Sequence, residues 1–277
     1  MRNKLSGLHY GRVNSKDEFV NFIKSTVPAD DLYIIKPNWF DPRPGSYTDA
    51  ETLDVIFSAL PGKKIIIDPR KGATEYALKV GLDIIRENSE FEINMVNLRG
   101  KKINSCIHCD KCLKTNSGRC EVFQDDVDEI IEIWERTHVY LVASPVYCMG
   151  VTPILSAFFS RLRPQRHKLL KQKYTQLPKV GAALTVGGTR HGGQETTAEV
   201  INNFYLSRGI LVLGGGGAYN GGTIWSKDGL QEGALLDSVG IETVDTIARR
   251  LVGAAKMLYC GAKVLEKEAS DGQKSPA

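Results

Sequence analysis

The chain has 277 residues, of which 42% are apolar and 25% charged, and it carries a net charge of +4. That balance fits a soluble globular protein of one large domain, with or without an extension, and is far too weakly basic to argue for nucleic acid. The start "MRNKLSGLHYGRVNSKDEF" passes from basic into polar residues with no signal-peptide core, and no apolar run approaches the ~20 residues that cross a bilayer. A cytoplasmic protein with no membrane or nucleic-acid partner is expected.

Residues 1–62 predict a small α/β extension, too short to be comfortable alone. "SKDEFVNFIKST" (15–26) reads as an amphipathic helix, "DLYIIKPNWF" (31–40) as a strand ending in a turn, and "TDAETLDVIFSALPG" (48–62) as a second helix. From Lys63 onward strands and helices alternate. "KKIIID" (63–68) leads into the helix "ATEYALKVGLDIIREN", and "FEINMVNL" (91–98) is a second strand. After a cysteine-rich loop comes "DDVDEIIEIWERT" (125–137), whose early Asp residues suit a helix N-terminus. "HVYLVASP" (138–145) is a third strand, and Thr152 and Pro153 cap and start the helix "TPILSAFFSRL". "KVGAALTVG" (179–187) and "ILVLGGGG" (210–217) make the fourth and fifth strands around the helix 194–209, which Gly209 ends. The last helix spans 240–259, and the polar segment 263–277 is expected to be a disordered tail.

This alternation predicts an α/β fold, a five-stranded parallel sheet in flavodoxin-like order 2-1-3-4-5 with helices on both faces, over residues 63–262. Such sheets bind ligands at the carboxyl ends of their strands. The loops there, "PRKGAT", "PVYCMGVT" and "GGTRHGGQ", are rich in Gly, Pro and small polar residues.

The loop 104–120, "NSCIHCDKCLKTNSGRC", holds four of the six cysteines as C-x2-C-x2-C-x7-C: Cys106, Cys109, Cys112 and Cys120. A disulfide framework belongs to small chains in oxidising compartments. Zinc sites generally set two chelating pairs across a longer spacer. Three thiols at successive three-residue intervals, with a fourth further along, match [4Fe–4S] ligation, so an iron–sulfur cluster is favoured and zinc is the alternative. Glu121 follows the fourth Cys and only one such set exists, which excludes a two-cluster ferredoxin. Lys111, Lys114 and Arg119 can offset the negative charge of four thiolates. A single cluster passes one electron at a time and needs a donor and an acceptor.

Four stretches, "PRKGATEYAL", "CIHCDKCLKTNSGRC", "SPVYCMGVTPILSAFFSRL" and "TVGGTRHGGQETT", together resemble the iron–sulfur flavoproteins of the NADPH-dependent FMN reductase superfamily over residues 63–260. The resemblance implies FMN beside a [4Fe–4S] cluster. It also implies a homodimer or homotetramer in which the cluster of one subunit lies near the flavin of another. Ferredoxin or NAD(P)H would be the electron donor. Carried onto this chain, Arg70, Lys71, Gly72, Ala73 and Thr74 hold the FMN phosphate at a helix N-terminus. Pro145, Val146, Tyr147, Cys148, Met149 and Gly150 cradle the edge of the ring system, with Cys148 a small hydrophobe rather than a reactive thiol. Gly187, Gly188 and Thr189 let a third loop approach the flavin; His191 beside them is not expected to be catalytic. The cofactors carry the chemistry, so no acid–base residue is expected.

Two departures stand out. Relatives place "G-S-P-R" where this chain has Ile67 and Asp68 before Pro69 and Arg70, and a carboxylate there would repel a phosphate. The N-terminal stretch "IIKPNWFDPRPGSYTDAETLDVIFSALPGKKIII" resembles instead the opening of the DUF362 group. Within the stated resemblance the function expected is electron transfer coupling flavin to cluster. The alternatives are an NAD(P)H-dependent FMN or quinone reductase with a zinc or empty cysteine loop, and a non-catalytic redox sensor or scaffold. "GGGGAYNGG" (214–222) fits no G-x-G-x-x-G register, so it is not a dinucleotide fingerprint and reads as a rim loop.

Overall fold

The computed structural model describes residue 21 and residues 32–35, 63–66, 72–171, 179–217, 219–227 and 231–272. The chain divides into two units, Met1–Lys71 and Gly72–Ala277. In the first, β1 (Leu32–Ile35) pairs in parallel with β2 (Lys63–Ile66), Leu32 opposite Lys63 and Ile35 opposite Ile66. Apart from Asn21, the helices expected at 15–26 and 48–62 lie outside the described residues, as do Ile67, Asp68, Arg70 and Lys71.

The second unit opens with α1 (Ala73–Asn88), which buries Ala73, Ala77, Gly81, Leu82 and Ile85, one face at helical spacing. Residues 91–98 turn Phe91 and Ile93 to one core cluster and Val96 and Leu98 to another, with Met95 exposed between them, so the strand-like spacing shifts by one residue midway. They form no ladder. A strand is defined by its neighbour, and of the segment expected to flank this one the described residues Lys63–Ile66 pair with β1. The five-stranded expectation is corrected to that extent.

Short α2 (Lys111–Thr115) interrupts the cysteine loop, and α3 (Val127–Arg136) precedes β3 (Val139–Pro145). Thr152 Oγ1 accepts the N–H of Leu155 at the start of α4 (Pro153–Arg161), with Pro153 in the first turn as expected. A 3-10 turn (Arg163–Gln165), α5 (Arg166–Lys171), β4 (Val180–Gly187) and α6 (Gln194–Ser207) follow. The expected fifth strand is divided into β5 (Leu211–Val212) and β6 (Gly222–Trp225). Both pair in parallel with β4, β5 at Val180–Gly181 and β6 at Leu184–Gly187, so the glycine-rich segment interrupts one strand line. The chain ends in α7 (Gln231–Leu236) and α8 (Ser238–Gly272). The last helix therefore runs well past Tyr259. "GAKVLEKEAS" is polar, but Ala, Leu, Glu and Lys are strong helix formers, and polarity alone did not separate helix from tail.

β4 is buried along its whole length and pairs with β3 from Val139–Val180 to Pro145–Val186. Val180, Ala182, Leu184 and Val186 face the core shared with α1 and α8, whereas Ala183 packs with Ala198, Ile201 and Tyr205 of α6. This is the three-layer arrangement of an α/β domain, helices on both faces of a parallel sheet. No described helix is long and apolar enough to cross a membrane.

Candidate functional site

Cys106, Cys109, Cys112 and Cys120 line one pocket, together with Phe123, Arg161 and Arg163. The loop reaches this shape through three left-handed non-glycine residues, His108 (φ 56°), Asp110 (φ 59°) and Asn116 (φ 53°). Asn, Asp and His are the side chains that accept this conformation most readily. The turn at His108 brings its N–H to 3.4 Å from Cys106 Sγ. Cys109 is exposed, Cys106 and Cys120 are half-buried, and Cys112 is buried. Burial pushes the Cys112 thiol up, and the thiols of Cys120, Cys106 and Cys109 add to the effect. Four thiols this close resist simultaneous ionisation unless a cationic centre sits among them. Among the described residues, no three His, Cys, Asp or Glu side chains converge closely enough to hold a single metal ion.

The other candidate residues gather at the carboxyl ends of β3 and β4. Val146 N–H donates to Val186 O at 2.9 Å, so the loops 145–150 and 187–193 leave the sheet side by side. Tyr147 and Gly150 exchange backbone hydrogen bonds of 2.8 and 3.0 Å, which forces Cys148 (φ 49°) and Met149 (φ 66°) into left-handed backbone. Two strained non-glycine residues in succession mark the loop as shaped for a purpose other than stability. Tyr147 is 57% exposed and Met149 54%, so both present apolar surface to solvent. In the neighbouring loop Gln194 braces the turn, accepting from Gly192 N–H at 2.9 Å and donating to Thr189 O at 2.8 Å. Trp225 Nε1 donates to Gly188 O at 3.2 Å, and Arg190 lies over the Trp225 ring, 4.4 Å from its centroid.

Gly72 precedes α1 without a side-chain cap, and Ala73 shares its core cluster with Leu184 and Val186. With no side-chain cap, the first-turn N–H groups of α1 are open to an acceptor, the arrangement that receives an anion. The structure thus brings together Pro145 to Gly150 and Gly187 to Thr189, and sets Gly72, Ala73 and Thr74 at the start of α1, where Ala73 packs in the core cluster along β4. Arg70 and Lys71 lie outside the described residues.

Residues 68–222 match the profile of the family described as NADPH-dependent FMN reductase. The chain belongs to that family, among its iron–sulfur flavoproteins. An iron–sulfur flavoprotein of Archaeoglobus fulgidus is 37% identical over 185 residues, covering 66% of this chain and 90% of its own. One of Methanocaldococcus jannaschii is 33% identical over 190 residues, covering 68% and 93%. A crystal structure of RosB with a bound 8-demethyl-8-formylriboflavin-5'-phosphate intermediate shares the fold, with a TM-score of 0.53 at 16% identity, covering 76% of this chain and 83% of that one. This iron–sulfur flavoprotein is accordingly a flavin-dependent oxidoreductase with a role in electron transfer.

Sequence reasoning missed what holds the cysteine loop of the flavoprotein in place. The stretch "SRLRPQ" (160–165), at the end of α4 and in the 3-10 turn, grips the loop at four points. Ser160 Oγ accepts Cys106 N–H at 3.0 Å, and Arg161 Nη1 donates to Asn104 O at 3.1 Å. Arg163 Nε donates to Asp110 Oδ1 at 3.0 Å, and Gln165 Nε2 to Gly118 O at 2.7 Å. The Arg163 hydrogen bond holds the Asp110 carboxyl below the usual carboxylate range. The cations on the pocket wall are Arg161 and Arg163. Arg119, from inside the loop, pairs with Glu132 instead. Asp125, expected to serve a helix dipole, is buried against Arg161, Nη1 to Oδ2 at 2.6 Å and Nη2 to Oδ1 at 3.1 Å. It also accepts the backbone and side-chain amides of Asn104 at 3.0 and 2.9 Å. The available signal was two arginines ending an otherwise apolar helix.

Proposed function

We propose that this flavoprotein binds one FMN at the loops 72–74, 145–150 and 187–189, and one [4Fe–4S] cluster at Cys106, Cys109, Cys112 and Cys120. On this reading Arg70 and Lys71 complete the phosphate loop. A bound flavin exchanges two electrons or a hydride, and a cluster exchanges one electron at a time, so the pair couples two-electron to one-electron chemistry.

The observation that carries the reading is the convergence of four cysteines on one pocket at the far end of the helix that starts beside the proposed flavin loops. Pro153 opens α4 three residues after Gly150, and Arg161 closes it on the pocket wall. At 1.5 Å per residue, nine residues separate the two regions of one chain by about 14 Å along the helix. The residues themselves position and shield. Phe123 and Val122 make one side of the pocket apolar, and Tyr147 and Met149 offer the exposed surface on which a planar ring can rest.

The reading extends to a cytoplasmic homodimer or homotetramer, in which one subunit's cluster serves another's flavin, with ferredoxin or NAD(P)H as donor. Exposed apolar side chains on α8, Met257, Val264 and Leu265, agree with a buried face in an assembly. Anaerobic purification followed by iron, acid-labile sulfide and FMN assays tests the core of it. Four iron, four sulfide and one FMN per chain are expected. A colourless cysteine loop with stoichiometric zinc, or one with no metal, would leave a simple FMN or quinone reductase. A cluster that no donor reduces would leave a sensor.

A further inference from the structure

We propose that Arg161 donates its Nε–H to sulfur in the cysteine pocket and thereby raises the reduction potential there; the inference rests on the iron–sulfur reading above. The Arg161 side chain is 1% exposed and its partner Asp125 is fully buried. Both terminal nitrogens are committed, Nη1 to Asp125 Oδ2 and Asn104 O, Nη2 to Asp125 Oδ1. Nε is left buried with no hydrogen-bond partner among the described residues. A buried donor without an acceptor is costly, the more so on a charged group, and native folds seldom keep one without a reason.

The surroundings narrow what the acceptor is. Arg161 lines the pocket with the four cysteines, and the Phe123 ring lies 5.2 Å from its Cζ. Of the two carboxylates in the same wall, Asp110 is already engaged by Arg163 and Glu121 by the Thr115 hydroxyl. Sulfur is the acceptor the pocket supplies in quantity. Hydrogen bonds to cluster or thiolate sulfur are one of the protein's levers on potential, because they favour the more electron-rich state. Asp125 offsets the guanidinium charge, so a directed N–H dipole, rather than a bare cation, is presented to the pocket.

Arg161→Lys keeps the positive charge but removes Nε–H and the fork. Purified anaerobically and titrated against potential by EPR, it is expected to keep iron and sulfide at wild-type stoichiometry. Its reduced-to-oxidised ratio at a fixed potential should fall about tenfold, a midpoint about 59 mV lower for one electron. A full complement of iron with an unchanged midpoint would overturn the proposal. If Arg161→Lys loses its iron, pulsed EPR of the reduced wild-type protein labelled with 15N-arginine decides instead: a hyperfine coupling to an arginine nitrogen upholds the proposal, and no such coupling overturns it and leaves Arg161 a brace for the loop. Wild-type protein without iron and sulfide would instead sink the cluster reading, which the content assay detects separately.

Discussion

Ser160 Oγ, on the last turn of the helix that begins beside the flavin loops, accepts the N–H of Cys106 at 3.0 Å and donates its own proton to Ala157 O at 2.7 Å. One hydroxyl therefore ties the first thiol of the pocket to the domain's core helix. Ser160→Ala removes the acceptor and leaves the Cys106 N–H to water. The loss should be about 0.5–1 kcal/mol in urea unfolding, since Cys106 is only half-buried. Iron release to a chelator should quicken in the same variant, and Ser160→Thr, which keeps the hydroxyl, should restore both values.

Much of the second unit was legible because its helices and central strands carry their own periodicity. The predicted helix 73–88 coincides with Ala73–Asn88, and the strand 179–187 with Val180–Gly187. What failed to show was pairing. Phe91 with Ile93, and Val96 with Leu98, are each spaced as in a strand, yet such spacing reports which side chains turn inward and nothing about a neighbouring backbone. The divided fifth strand has the same cause, because only the register against β4 shows that Leu211–Val212 and Gly222–Trp225 lie on one line. At the site, Cys106, Cys109, Cys112 and Cys120 announced themselves by spacing. Asp125 and Arg161 did not, being 36 residues apart and joined only by the fold.

The Asp125–Arg161 pair should be the most sensitive point of the cysteine loop. Asp125→Ala strands a buried guanidinium and is expected to cost about 3–5 kcal/mol, whereas Asp125→Leu with Arg161→Met should cost less than the single change. The pair also sets an acid limit. Burial raises the Asp125 carboxyl, but hydrogen bonds from Arg161 and Asn104 outweigh it and hold the group at about 2. A folded value below the unfolded one, about 3.9, gives stability that is complete above pH ~4 and is lost as the pH falls toward 2. Urea midpoints measured from pH 5 to pH 2 should fall more steeply for wild-type protein than for Asp125→Asn.

Gly193 lets the two loops proposed to hold FMN meet because it lacks a side chain. Its φ is +100°, and a Cβ there would stand 2.6 Å from Met149 Sδ and 3.0 Å from Met149 Cα. Gly193→Ala therefore meets both backbone strain and a collision with the neighbouring loop, a cost of about 1–3 kcal/mol. The expected signature is local. FMN should bind at least tenfold more weakly by fluorescence titration (about 1.4 kcal/mol), while iron content stays at the wild-type level. Equal loss of both cofactors would show that the substitution disturbs the whole domain.

At the opposite end of the sheet, Lys179 closes the C-terminus of α3. Its Nζ donates to Glu135 O at 2.8 Å and to the Tyr140 hydroxyl at 2.7 Å. Burial lowers Lys179 to about 8, with Glu135 opposing the shift and Arg208 adding to it. The unfolded chain keeps this proton to about pH 10.4, so between pH 8 and 10 it binds more protons than the folded one, and stability rises with pH. Burial pushes the Tyr140 hydroxyl up, so above pH ~10 the unfolded phenol ionises first and stability falls again. Urea unfolding from pH 7 to pH 11 should therefore pass through a maximum near pH 10. Lys179→Met, although less stable at pH 7 for want of a donor to the α3 carbonyls, should lose the rise between pH 8 and 10 and keep the decline above it. A rise of the same size in both proteins would assign it to another group.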